Sequence, residues 1–206
     1  MDDVYYFAYG SCMSPADLAR DVEEFQLIGP ARVRGYRLGF TRYSRARRGG
    51  VADLVPDKDG VVEGVLYRLP NEQLPALDER EGAPEHYRRE YIPVEAGGKT
   101  YEGVLTYVVV DKAAAEIAPH PDYIQTILRG AEAYLSPEYV GKLRETVKQL
   151  SERKPGERKA GERGPSEREP ADGRRRAGRR RRVRGRFRRM RGTRPSRIIL
   201  VRRLVG

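Results

Sequence analysis

A strand followed at once by a sharp turn and a helix start constrains the fold of this chain more than any other feature. The aromatic run Tyr5–Tyr9 favours a β-strand. Gly10 and Ser11 then allow the backbone to turn. The segment from Gly10 to Met13 is therefore predicted to lie between a strand and a helix N-terminus. Free backbone N–H groups at such a place attract an anion such as a carboxylate.

The predicted helix begins directly after this turn. Ser14 has the character of an N-cap, Pro15 that of a first helical residue, and Asp17 that of a capping-box partner. The pattern predicts a helix over residues 15–24.

The chain has two parts of opposite charge. Residues 1–150 contain 19 lysines and arginines against 24 acidic residues, whereas residues 151–206 contain 22 against 6. The first part is long enough to bury a core and is predicted to be one domain. The second part has few large apolar residues before its last nine and is predicted to be a disordered basic tail.

Low complexity characterises that tail. A Glu-Arg pair recurs every five residues from Ser151 to Arg168, a period that no globular element has. Residues 174–191 then contain 12 arginines, which would bind polyanions non-specifically by counterion release. A tail without a selected function is the alternative interpretation.

The rest of residues 1–150 is β-rich, with helices at intervals. Short strands interspersed with helices favour an α+β fold, a small barrel or a strongly curved sheet, rather than a doubly wound one. The predicted strands are 31–40, 51–55, 61–69, 91–94 and 100–110, with a turn at 56–60 between two of them; the predicted helices are 71–82, 122–135 and 136–150.

The composition also bounds the chemistry. Cys12 is the single cysteine, so neither an internal disulfide nor a multi-cysteine metal site is expected. No apolar run approaches eighteen residues and no basic-then-apolar leader is present, which predicts no membrane span and a cytoplasmic protein.

Glu81 is the candidate acid or base. On a helix it shares one face with Leu74 and Leu77, and that face points inward if the leucines are core. A carboxylate at the buried side of a helix C-terminus has its pKa raised by desolvation and by the helix dipole. A partly exposed Glu81 paired with a nearby arginine is the alternative, and Glu79 and Arg80 are interpreted as solvated charges.

Cys12 offers a different hypothesis. A thiol at a helix N-terminus can become a nucleophilic thiolate, with His86 or His120 as its base. Nothing in the sequence ties either histidine to Cys12, and a lone cysteine is more often a small buried apolar residue.

Two motifs identify a family resemblance that covers residues 4–148. The segment Phe7–Met13 resembles the Tyr-Gly-Ser-Asn signature of the γ-glutamylcyclotransferase-like (AIG2-like) family, and Leu77–Gly82 followed by Tyr87 resembles its second signature. The spacing of 49–53, 63–67 and 130–139 also fits.

The resemblance implies a mixed β-barrel with flanking helices and a cavity at the loop over residues 9–12. Family members convert a γ-glutamyl amide into 5-oxoproline and a free amine without a cofactor or metal. By position, Glu81 matches the catalytic acid/base. The matching substrate-binding residues are Tyr9, Gly10, Ser11, Cys12 and Tyr87. Cys12 replaces the usual Asn, which leaves the particular γ-glutamyl substrate open.

A second hypothesis belongs to another functional class. The domain could bind a small ligand or associate with nucleic acid through its arginine-rich tail without catalysing a reaction.

Overall fold

Five strands and four helices make up the part of the chain that the computed structural model describes, residues 2–153. The strands are β1 (Asp3–Ala8), β2 (Gln26–Ser44), β3 (Gly49–Pro70), β4 (Tyr87–Ala96) and β5 (Lys99–Val109). The helices are α1 (Pro15–Leu18), α2 (Leu74–Glu81), α3 (Pro121–Tyr134) and α4 (Pro137–Glu152), with 3₁₀ turns at Ser11–Met13 and Asn71–Gln73.

The strands close into a barrel in the order β1-β3-β2-β4-β5. β1 pairs parallel to β5, with Tyr6 opposite Leu105, and the other described pairings are antiparallel. This mixed barrel with flanking helices confirms the predicted α+β class. Aromatic and aliphatic side chains such as Phe7, Phe40 and Tyr67 are fully buried in the core.

Two predicted strands are one in the structure. β3 runs through the predicted turn at 56–60, because Pro56 still pairs with Tyr36 and Val61 with Arg34. Only the register shifts there, so the turn residues form an irregularity in a long strand rather than a hairpin.

The first helix is shorter than predicted. It ends at Leu18 rather than near residue 24, and Ser14 makes no side-chain cap. Asp17 is not a capping-box partner, because its buried carboxylate accepts hydrogen bonds from Arg80 instead. Ser14 at the N-cap position and Pro15 as the first helical residue are confirmed, but the predicted capping box is wrong. With only four residues, α1 contributes little dipole.

Gly50 marks a close approach between β3 and the segment before α3. Its N–H donates to the carbonyl of Ala118 at 3.0 Å, and a Cβ there would overlap the carbonyl oxygen of Ile117. We expect Gly50→Ala to lower the free energy of unfolding by about 1–3 kcal/mol, measured by urea denaturation. Gly141→Ala, in exposed helix α4 with open space around it, should instead stabilise by up to about 1 kcal/mol. Equal effects at the two positions would contradict this account.

The predictions made for the basic tail concern residues from 154 onward, which lie outside the described residues. Within residues 2–153, no helix is both long and apolar enough to cross a membrane. The cytoplasmic location stays a prediction.

Candidate active site

A small cavity opens where β1 ends, and it brings together the candidate residues of both motifs. Its volume is about 40 Å³, enough for a few water molecules. The residues that line it are Tyr6, Tyr9, Gly10, Ser11, Cys12, Ala52, Glu81, Tyr87, Tyr107 and Tyr123. The loop after β1, the C-terminus of α2 and the facing strands β3, β4 and β5 each contribute to its wall.

Helix α2 directs Glu81 toward this cavity. Leu77 is fully buried on the same helix face, as the predicted spacing requires. Gly82 ends the helix with a left-handed conformation (φ 65°), which only glycine adopts readily. Glu81 is thus the last helical residue, held at the cavity by the leucine one turn before it.

Among residues 2–153, Glu81 forms no ion pair with the arginines near it in the sequence. Arg88 pairs with Glu90 and Arg89 pairs with Asp78. Arg80 pairs with Asp17 and Asp21. The hydrogen-bond partner of Glu81 is the Cys12 thiol, at 3.5 Å between Sγ and Oε1.

Desolvation raises the pKa of the Glu81 carboxyl above its usual range. The charge of Arg80 and the hydrogen bond from Cys12 oppose this and lower the pKa, but by less than burial raises it. The net direction is the one that suits a group exchanging protons near neutrality.

Arg80 is largely buried, contrary to the sequence interpretation. Its side chain is only 9% exposed. The guanidinium donates to Asp17 Oδ2 at 2.7 Å, to the Asp17 carbonyl at 3.0 Å and to the Asp21 carboxylate. Its Nε also donates to Cys12 Sγ at 3.0 Å. These contacts tie α2 to α1 and to the loop after β1.

The surroundings of Cys12 favour the thiol over the nucleophilic thiolate. Burial, followed by the charge of Glu81, raises its pKa to about 12, although Arg80 and a Tyr6 hydrogen bond oppose this. His86 is exposed, and His120 accepts a hydrogen bond from the Asp122 N–H as the N-cap of α3. Neither histidine lines the cavity, so the geometry does not support a cysteine nucleophile.

The loop over residues 10–13 forms a single 3₁₀ turn. The N–H of Met13 donates to Gly10 and that of Ser14 to Ser11. Gly10, Ser11 and Cys12 all line the cavity.

Tyrosine hydroxyls fix the opposite wall. Tyr87 donates to the Ala52 carbonyl at 2.8 Å, and Tyr123 accepts from the Ala52 N–H at 3.2 Å. Tyr9 donates to the carbonyl of Tyr107 at 2.5 Å. Each hydroxyl has a backbone partner, so the rings form a rigid wall.

All six predicted site residues therefore lie together at the cavity, while four other lining residues and Arg80 were not among them. Tyr107 was one of several tyrosines in β-rich segments, where an aromatic residue is more often part of the core. Tyr6, Ala52 and Tyr123 carry no sequence signal that separates a cavity wall from a core.

Comparison with known proteins places this site in a family. Residues 6–125 match the family model described as gamma-glutamyl cyclotransferase, AIG2-like. The chain belongs to the gamma-glutamyl cyclotransferase, AIG2-like family.

Individual relatives agree with this membership. The chain is 43% identical to YkqA of Bacillus subtilis over 151 residues, 71% of this chain but 53% of YkqA. It therefore spans about half the length of that relative. It is 28% identical to the gamma-glutamylcyclotransferase of Mus musculus over 148 residues, 68% of this chain and 76% of the mouse protein.

Solved structures share the barrel. The YkqA crystal structure has a TM-score of 0.65 at 41% identity, covering 73% of this chain and 56% of YkqA. A structure described as gamma-glutamyl cyclotransferase has a TM-score of 0.65 at 25% identity, covering 69% of this chain and 87% of its own.

Proposed function

We propose that this protein is a cyclotransferase that converts a small γ-glutamyl amide or γ-glutamyl amino acid into 5-oxoproline and a free amine, with Glu81 as general acid/base. The observation that carries the proposal is the meeting of Glu81 and the loop over residues 9–12 at one cavity. The name of the mouse relative supports the same reaction.

The reaction needs one group that moves a proton in both directions. The substrate's α-amino nitrogen attacks its own γ-carbonyl carbon, a new C–N bond forms, and the original amide C–N bond breaks. Glu81 takes the proton from the attacking amine and returns it to the leaving amine, so the carboxylate is regenerated. Water is not consumed.

The remaining residues hold the substrate in a folded-back conformation. The N–H groups of Gly10, Ser11 and Cys12 would bind the α-carboxylate or the developing oxyanion. Tyr9 and Tyr87 would enclose the glutamyl carbons. Bringing the amine to about 3 Å from the carbonyl carbon supplies the proximity contribution, which is worth several kcal/mol.

The raised pKa of Glu81 predicts a pH dependence. The base must be ionised to accept the first proton, so kcat/KM should rise with pH through the pKa of Glu81 in the free enzyme. Because burial raises that pKa, we expect the acid limb above the ordinary glutamate value of about 4.3. A pH–rate profile on a γ-glutamyl amino acid measures it, and a limb at or below the ordinary value would contradict a desolvated base.

The alternative of a nucleic-acid-associated protein depends on residues 174–191, outside the described residues. We expect a chain ending at residue 153 to keep cyclotransferase activity and to lose any salt-sensitive binding to a mixed-sequence RNA. Loss of activity on truncation would instead assign the tail to catalysis. RNA binding that survives truncation would show that residues 1–153, rather than the tail, bind RNA.

A further inference from the structure

Glu81 is held by a short series of buried polar groups that the proton transfers do not use. Arg80 Nε donates to Cys12 Sγ at 3.0 Å, and Cys12 Sγ lies 3.5 Å from Glu81 Oε1. A thiol has a single hydrogen to donate. The sulfur accepts from Arg80 and also from the Tyr6 hydroxyl, a contact that lowers the pKa of the thiol. Its own hydrogen is therefore free to point to the carboxylate.

We propose that Arg80 and Cys12 are positioning residues for Glu81. Arg80 holds the sulfur in place, and the thiol hydrogen bond fixes the carboxylate through Oε1, which leaves Oε2 for proton transfer. This inference rests on the proposed role of Glu81. Among residues 2–153, no hydrogen bond engages Oε2.

Arg80 is itself fixed well enough to serve as the anchor of this series. Its side chain is 9% exposed, and its other nitrogens are bound by Asp17, which is 5% exposed, and by Asp21. A guanidinium held at several donors loses little freedom on making one more contact. Arg80 therefore holds the Cys12 sulfur in a fixed position beside Glu81.

The surroundings of Glu81 determine what each variant should do to its titration. Arg80, Arg47 and the Cys12 thiol lower the pKa of Glu81, and Asp21 raises it. The tyrosine hydroxyls that face it from the barrel and from α3 are Tyr6, Tyr9, Tyr87 and Tyr123, each with its own pKa raised by burial.

The chemistry required at position 12 is an acceptor for Arg80 combined with a donor for Glu81. An asparagine supplies both, through its carbonyl and its NH₂ group, whereas alanine supplies neither. Cys12→Asn should therefore behave nearly as the wild type, and Cys12→Ala should not. A requirement for a small apolar side chain would reverse that order.

The test combines kinetics with a direct titration of the carboxyl. We expect Cys12→Ala to lower kcat about tenfold and to move the acid limb of kcat/KM to higher pH, and Cys12→Asn to stay within about threefold of wild type. Glu79→Gln, on the same helix but exposed, is the control and should leave the limb unchanged. Arg80→Lys should shift the acid limb in the same direction as Cys12→Ala. Because replacing Arg80 weakens its ion pair with the buried Asp17 and destabilises the fold, the Cys12 variants decide the test.

Titration of ¹³C-labelled glutamate carboxyls by NMR, with the Glu81 signal assigned from Glu81→Gln, reports the same contacts without turnover. A raised pKa of Glu81 in Cys12→Ala, restored in Cys12→Asn, would uphold the positioning role even if no γ-glutamyl compound were cleaved, in which case only the proposed function would fail. An unchanged Glu81 titration in Cys12→Ala, with kcat also unchanged, would overturn the inference. Asparagine behaving like alanine would overturn it too.

Discussion

Glu81→Gln is expected to lower 5-oxoproline formation by at least about 10²–10⁴-fold, because glutamine keeps the shape of the side chain but cannot accept and return a proton. Glu79→Gln is the matched control. Glu79 lies on the same helix but is exposed, so its replacement should leave turnover unchanged. Rates would be measured by following amine release from a γ-glutamyl amino acid.

The Glu81 variant should fold at least as well as the wild type. A carboxyl whose pKa is raised in the folded state is less stable ionised there than in the unfolded chain, so the native state loses stability as pH rises through the interval between the two pKa values. Removing that charge should therefore hold or raise Tm at neutral pH. Loss of activity together with a lower Tm would attribute the effect to misfolding, and full turnover by Glu81→Gln would end its catalytic assignment.

Asp53→Ala is expected to have the largest effect on stability. Asp53 is completely buried and accepts from Thr41 Oγ1 at 2.7 Å, from the Val109 N–H at 3.0 Å and from Lys112. Removing one member of a buried charged group leaves its partners unsatisfied, which typically costs about 3–5 kcal/mol. Urea denaturation at fixed pH would measure the loss.

Two further variants separate the charge from the position. Asp53→Asn keeps an acceptor for the Val109 N–H and should cost less than alanine. Asp59→Ala, on the same strand but exposed, should change stability by no more than about 0.5 kcal/mol. Equal losses of unfolding free energy in Asp53→Ala and Asp59→Ala would show that the buried contacts of Asp53 do not stabilise the fold. Because Ala52 beside it lines the cavity, activity should fall with stability.

Local patterns predicted most of the barrel because its strands and helices carry their own signals. The aromatic run before Gly10, the β-rich residues 100–110 and the glycine after Glu81 each mark an element that the structure retains. The long strand β3 could not be predicted in the same way. Its Pro-Asp-Lys-Asp-Gly segment has turn composition, and only the pairing of Pro56 and Val61 with β2 keeps the strand continuous.

The candidate site divides along a similar line. The inward position of Glu81 was predictable because helical spacing places it on the same face as Leu77. Arg80 was not, since an arginine one residue away from a buried face has the pattern of a solvated charge. Its burial depends on Asp17 and Asp21, some sixty residues earlier in the chain, and no local pattern reports that contact.

The measurement that tests the central claim most directly is the product balance for wild-type protein on matched γ-glutamyl amino acids with a free and an N-acylated α-amine. If the α-amine is the nucleophile, the free substrate should yield equimolar 5-oxoproline and amino acid, and the acylated one should yield neither. Release of glutamate instead of 5-oxoproline, or cleavage of the acylated substrate, would contradict an intramolecular cyclisation.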